Sequence, residues 1–141
     1  MDSTEQNTDV LVIGAGMAGI TAARTLVQAG HRVHIFEKSR SAAGRMSTRE
    51  TVFGTFDHGT QYFTVRDPRF SLALQTVAGT KEICRPWSAS AVRVLDPMGQ
   101  VFEAAKQNHD AHFVASPGMN ALVRHWAQPL GKALRLHNQV Q

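Results

Sequence analysis

Val10-Leu11-Val12-Ile13 runs directly into Gly14-Ala15-Gly16-Met17-Ala18-Gly19, and this junction restricts the chain more than any other feature. Being apolar at every position, the run suits a strand covered on both faces in a parallel sheet. Beyond the glycines, Ile20, Ala23 and Val27 recur at helical spacing with Ala22 and Leu26 beside them. Gly30 stands where a helix C-terminal glycine belongs. Residues 31–36 alternate polar with apolar before an Ile-Phe end and predict a second strand. The result is a β-α-β unit, whose crossover is right-handed almost without exception.

Each glycine of the G-x-G-x-x-G has a physical task. Gly14 allows the tight turn, Gly16 lets a pyrophosphate approach the backbone, and Gly19 lets helix and strand pack closely. Free amides and the helix dipole then favour the negative group at the helix N-terminus. The hexapeptide alone is a weak signal, but Glu37 ends the second strand 21 positions after Gly16, where a carboxylate can accept from a ribose hydroxyl pair. That acid repels a 2′-phosphate, so FAD or NAD is expected here rather than NADP.

The remaining pattern extends one α/β domain over residues 9–141, behind a polar lead-in of residues 1–8 read as disordered. Residues 39–55, rich in Ser, Ala, Gly and Arg without a period, are expected to be irregular. Asp67-Pro68 predicts a helix with Phe70, Leu74 and Val77 on one face and Gly79 at its end. Residues 89–103 read as a hairpin turning at Asp96-Pro97-Met98-Gly99. Ser116-Pro117 opens a helix in which Met119, Leu122, Val123 and Trp126 share a face, and residues 134–136 begin a further strand.

With 43% hydrophobic and 18% charged residues in 141, the chain is expected to fold rather than remain disordered. Its net charge of +4 comes from scattered basic residues without a Lys/Arg block, which argues against a nucleic-acid face. The polar, acidic N-terminus and the short apolar run after it match neither a signal peptide nor a membrane span, so no membrane partner is expected. A single cysteine, Cys84, fits a reduced, cytoplasmic compartment. His109 and His112 lack a third ligand at zinc-like spacing and are read as a solvated loop, so no metal is expected. Trp87 and Trp126 are assigned to core or interface. His58 is a candidate base without a visible orienting partner, and the catalytic residues stay unassigned.

Downstream of the acid, Glu37-Lys38-Ser39-Arg40-Ser41-Ala42-Ala43-Gly44-Arg45-Met46 resembles the corresponding segment of the flavin amine oxidase superfamily. Phe56-Asp57-His58-Gly59-Thr60-Gln61-Tyr62-Phe63-Thr64 resembles the D-x-G-x-Q-Y-[FI] stretch of its renalase-like branch, and Ser116-Pro117-Gly118-Met119-Asn120-Ala121-Leu122 its P-G-M-[ST]-x-L helix start. The resemblance implies a GR2-like Rossmann-type FAD-binding domain in which Lys38 lies beside the adenosine and Gly44, Arg45 and Met46 form the diphosphate turn. Gln61, Tyr62 and Phe63 would then lie near the flavin. It further implies hydride transfer from a small reduced substrate, with NAD(P)H-type nucleotides or amines as candidates, to flavin and then to O2.

Two departures accompany the resemblance. Ala43 replaces the first glycine of the family's doublet, and the chain is less than half the family's length. On that length the domain is expected to be incomplete and inactive alone, lacking a substrate domain and a C-terminal FAD segment. It is also expected to expose apolar surface on the 89–103 hairpin and on the Met119/Leu122/Val123/Trp126 face, favouring self-association. The alternative is a non-catalytic dinucleotide-binding module or one subunit of a heteromeric flavoprotein; a small NAD-dependent dehydrogenase fits less well, for want of βα units.

Overall fold

The computed structural model describes residues 8–87, 93–103 and 111–141. Strand β1 (Val10–Ile13), helix α1 (Met17–Gln28) and strand β2 (Val33–Phe36) form the expected parallel β-α-β unit, with Val10 opposite Val33 and Ile13 opposite Phe36. Residues 39–55 correct the expectation of an irregular excursion. A single 3-10 turn at Gly44–Met46 leads into an antiparallel hairpin of β3 (Thr48–Thr51) and β4 (Gly54–Asp57). Both strands are largely exposed and polar, so neither carries the apolar alternation by which a strand is recognised.

Strand β5 (Phe63–Thr64) precedes α2 (Pro68–Thr76), whose N-cap is Asp67, its carboxylate accepting from the Arg69 amide at 2.8 Å. The helix stops short of Gly79, which adopts φ 78° and introduces the short α3 (Thr80–Ile83) instead. Strands β5, β6 (Cys84–Pro86) and β9 (His112–Ala115) make a small antiparallel sheet with β9 central. His112 is therefore a strand residue, not part of a solvated loop, while His109 lies outside the described residues. The predicted hairpin is present as β7 (Arg93–Leu95) and β8 (Val101–Glu103), with the Asp96 carboxylate accepting from the amides of Met98 and Gln100. Its expected start at 89–92 lies outside the described residues, as do residues 1–7 of the lead-in.

Helix α4 (Asn120–Ala127) runs through a short 3-10 segment into β10 (Leu134–Arg135), which pairs in parallel with β2 and gives the main sheet the order β1-β2-β10. Helices α1 and α4 pack on one another. Ile20 and Ala23 of α1, Val33 and Ile35 of β2, and Met119, Leu122, Val123 and Trp126 make the centre of the core. The last four residues, expected to be exposed, are 0–2% accessible. Their face is covered by partners within the chain, each side chain contributing about 1.5–3 kcal/mol by burial. Trp126 is anchored further: its indole N–H donates to Thr80 Oγ1 at 2.9 Å, and the Arg24 guanidinium lies over its ring and donates to its carbonyl.

The β7–β8 hairpin does expose apolar side chains as expected, at Leu95, Met98 and Val101, and further apolar surface lies on β1. Val10 and Val12 pack against the core, but Leu11 and Ile13 are 62% and 71% accessible on the opposite face of β1. The expectation of a strand buried on both faces is thus met on one face only, because no helix among the described residues covers the other. No helix of the described residues is long and apolar enough to cross a membrane.

Candidate functional site

The glycine loop is tied to its surroundings from three sides. The Gly14 amide donates to the carbonyl of Phe36 at 2.8 Å, and the Ala15 carbonyl accepts from the Ala43 amide at 3.0 Å. The Ala15 amide donates to Glu37 Oε2 at 2.7 Å, while Glu37 Oε1 accepts from the Ser39 amide at 2.8 Å. Gly16 then caps α1 with no side-chain hydrogen bond, and the first turn carries no acidic residue. Among the described residues the amides of Met17, Ala18 and Gly19 have no acceptor. Three free donors at the positive end of a 12-residue helix make a site suited to an anion.

Steric room differs among the glycines in the way such a site requires. A Cβ on Gly19 would drive into the carbonyl oxygen of Gly14, so this position closes the helix onto the loop. A Cβ on Gly16 would meet only the Gly44 Cα, at 3.9 Å. The space in front of Gly16 is therefore left open.

Glu37 is buried at 7% accessibility, and its carboxylate braces the loop, a role the sequence reading did not assign to it. Burial pushes its carboxyl upward, but the hydrogen bonds from Ala15 and Ser39, with Lys38 nearby, outweigh that and hold it below the ordinary range. Glu37→Gln turns one acceptor into a donor facing a backbone amide, and should cost about 1–3 kcal/mol without any ligand; urea unfolding of the two proteins checks this. Because the folded-state pKa is depressed, the stabilisation is present above the unfolded value of about 4.3 and is lost as pH falls through the lower folded value. The wild type should lose more stability than Glu37→Gln across that acid window.

The turn after Glu37 lies against the loop through its backbone. Gly16 and Ala43 form a bridge, and a Cβ on Gly44 would come within 3.2 Å of the Gly16 Cα. Ala43, where the resembled family has glycine, is held at φ 140°, a region that favours glycine. Relief of about 1–3 kcal/mol of backbone strain is offset by the lost methyl, about 0.8 kcal/mol, and by the freer unfolded chain. We expect Ala43→Gly to raise stability by up to about 1 kcal/mol; a loss of that size in thermal unfolding would contradict the strain.

Arg45 follows with an exposed side chain, and its carbonyl accepts from the Thr60 amide at 2.8 Å. Met46 is half-buried against the core, whereas Lys38, Ala18 and Gln61 are exposed. The Arg45–Thr60 bond brings the start of the Gln61-Tyr62-Phe63 segment beside the turn. Tyr62 makes an edge contact with His112 at 4.5 Å between centroids and lies 5.7 Å from Trp87. Trp87, 44% accessible, is a surface member of this cluster rather than a core residue. Phe63 is committed to packing, with Phe70 at 5.7 Å and Phe113 at 5.8 Å. His58 is exposed, with Ser47 Oγ at 3.3 Å from its Nε2. Among the described residues no group of three or more metal-ligating side chains occurs.

Two residues have a structural role that the sequence did not reveal: Asp57, quoted only as part of its motif, and Thr48. Asp57 Oδ1 accepts from Thr48 Oγ1 at 2.6 Å and from the Met119 amide at 2.9 Å, and Thr48 Oγ1 accepts from the Asn120 amide at 3.0 Å. The β3–β4 hairpin thus caps α4, and Asp57→Ala should lower stability by about 1–2 kcal/mol in denaturant unfolding. The Asp57 stretch and the Gly118-Met119 helix start, noticed separately as motifs, are in contact.

Fold and loop together define a Rossmann-like dinucleotide-binding unit. Residues 12–75 match the NAD(P)-binding Rossmann-like domain family. Over 58 residues the chain is 43% identical to a 4,4′-diapophytoene desaturase of Staphylococcus haemolyticus, covering 41% of this chain and 12% of that protein. Over 48 residues it is 42% identical to an L-amino-acid oxidase of Bothrops pauloensis, covering 34% and 10%. A double mutant of putrescine oxidase shares the fold at TM-score 0.52 and 19% identity over 72% of this chain and 22% of that one. A Photorhabdus luminescens protein described as an FAD-containing monooxygenase aligns at TM-score 0.52 and 15% identity, over 93% and 31%. The chain spans about a tenth of the length of the curated relatives, and at these identities the two structures speak for the fold alone.

Proposed function

We propose that this chain is the FAD-binding part of an FAD-dependent oxidoreductase of the flavin amine oxidase superfamily, in its renalase-like branch. The observation that carries the reading is the uncapped N-terminus of α1, with free amides at Met17–Gly19 and an open approach over Gly16. A pyrophosphate fits that cradle by charge and by space. Glu37, already fixed by two amides, keeps lone pairs for the adenosine ribose. Gly44 lies beside Gly16, the resemblance assigns it and the exposed Arg45 to the diphosphate, and Lys38 is exposed next to Glu37. Gln61 and Tyr62, which follow the Thr60 amide bonded to the Arg45 carbonyl, are assigned to the flavin end by the resemblance.

When bound, FAD supplies two-electron acceptance, here of a hydride from a small reduced substrate, with O2 as the final acceptor. The chain's own residues bind and orient the ADP half. The choice of FAD is supported by the oxidases and desaturases among the relatives and by the acidic Glu37, which disfavours a 2′-phosphate. The branch is supported by the contact between the two motifs that carry the resemblance, Asp57 against Met119.

Equilibrium dialysis against equal FAD, NAD and NADP tests the reading. We expect FAD to be retained, with its visible absorbance, at least tenfold over NADP. Retention of NAD with no flavin would move the chain to a nicotinamide-dependent class.

A further inference from the structure

A cleft of about 1000 Å³ runs between the loop at residues 39–42, strand β3 and the outer side of α4, and the residues of the glycine loop do not line it. Arg40 from the loop, Arg49 from β3 and Arg124 from α4 all line this space. Among the described residues none of the three guanidinium groups has an ion-pair or hydrogen-bond partner. By contrast, Arg32 and Arg69 are paired with Asp9 and Asp67 at 2.9 Å and 2.6 Å. Glu50 brings a single negative charge to the lining against the three arginines.

We propose that this cleft binds a small, multiply phosphorylated anion at a site separate from the dinucleotide loop. Three arginines carried by three elements line one concavity, and a ligand with several negative charges complements that charge. A guanidinium fork matches phosphate oxygens two at a time, which a scattered basic surface does not provide. Leu134 and Leu136 also line the cleft and offer apolar contact for an organic portion. The proposal stands apart from the FAD reading, because none of its three arginines belongs to the glycine loop, although Ser39 borders both sites.

The test is amide nuclear magnetic resonance of the whole chain titrated with inorganic tripolyphosphate, in wild type and in Arg40→Gln/Arg124→Gln. We expect saturable shifts at Ser41, Arg49 and Arg124 that weaken steeply with added salt. In the double variant, whose exposed substitutions leave the fold intact, the dissociation constant read at Ser41 and Arg49 should rise at least tenfold. Shifts at Met17–Gly19 should survive the same substitutions, so the two sites report independently. Shifts confined to Met17–Gly19, or cleft shifts that persist unchanged in the double variant, would overturn the proposal.

Discussion

Gly19→Ala should destabilise the chain by about 3 kcal/mol or more, enough to remove a large part of the 5–15 kcal/mol typical of a domain. The added methyl meets the carbonyl of Gly14, a backbone atom with no rotamer through which to yield. Gly14 in turn is fixed by its own hydrogen bond to Phe36, so moving it disturbs the end of β2. Relief requires α1 to lift from β1, which would open the core around Ile20 and Ala23. Gly16→Ala is the control, since its methyl meets nothing closer than 3.9 Å and should cost no more than a surface substitution. Urea unfolding of both variants decides the matter: equal midpoints would show that close packing is not what Gly19 provides.

Gly16→Val should abolish dinucleotide binding while leaving most of the stability in place. The valine side chain occupies the space through which a pyrophosphate reaches the amides of Met17, Ala18 and Gly19, and its branches lie toward the turn at Gly44. Each charge-assisted hydrogen bond lost is worth about 1.5–3 kcal/mol, so losing two or more lowers affinity at least a hundredfold. Calorimetric titration with FAD, run beside a thermal melt, separates this from unfolding. Affinity within threefold of wild type would place the pyrophosphate elsewhere.

Much of the framework was legible because it is local. The strand, glycines, helix, strand and acid follow one another in 28 residues, from Val10 to Glu37, and each leaves its own mark. The Asp67-Pro68 start and the α4 face were legible for the same reason, although what covers that face was not, since burial depends on α1 and Thr80 far away in sequence. The β3–β4 hairpin escaped because two exposed polar strands have no face to bury. The Asp57 cap escaped because local capping rules reach three residues, and this one spans 62. Glu37 was found by position, yet its bonds to Ala15 and Ser39 could be seen only once loop and strand were placed together.

If the α1 N-terminus holds the pyrophosphate of FAD, the backbone amides there report on it directly. In an amide nuclear magnetic resonance titration with FAD, the largest saturable shifts are expected at Gly16, Met17, Ala18 and Gly19, accompanied by the Ser39 amide next to Glu37. Saturable FAD binding that leaves these amides unmoved would contradict that placement.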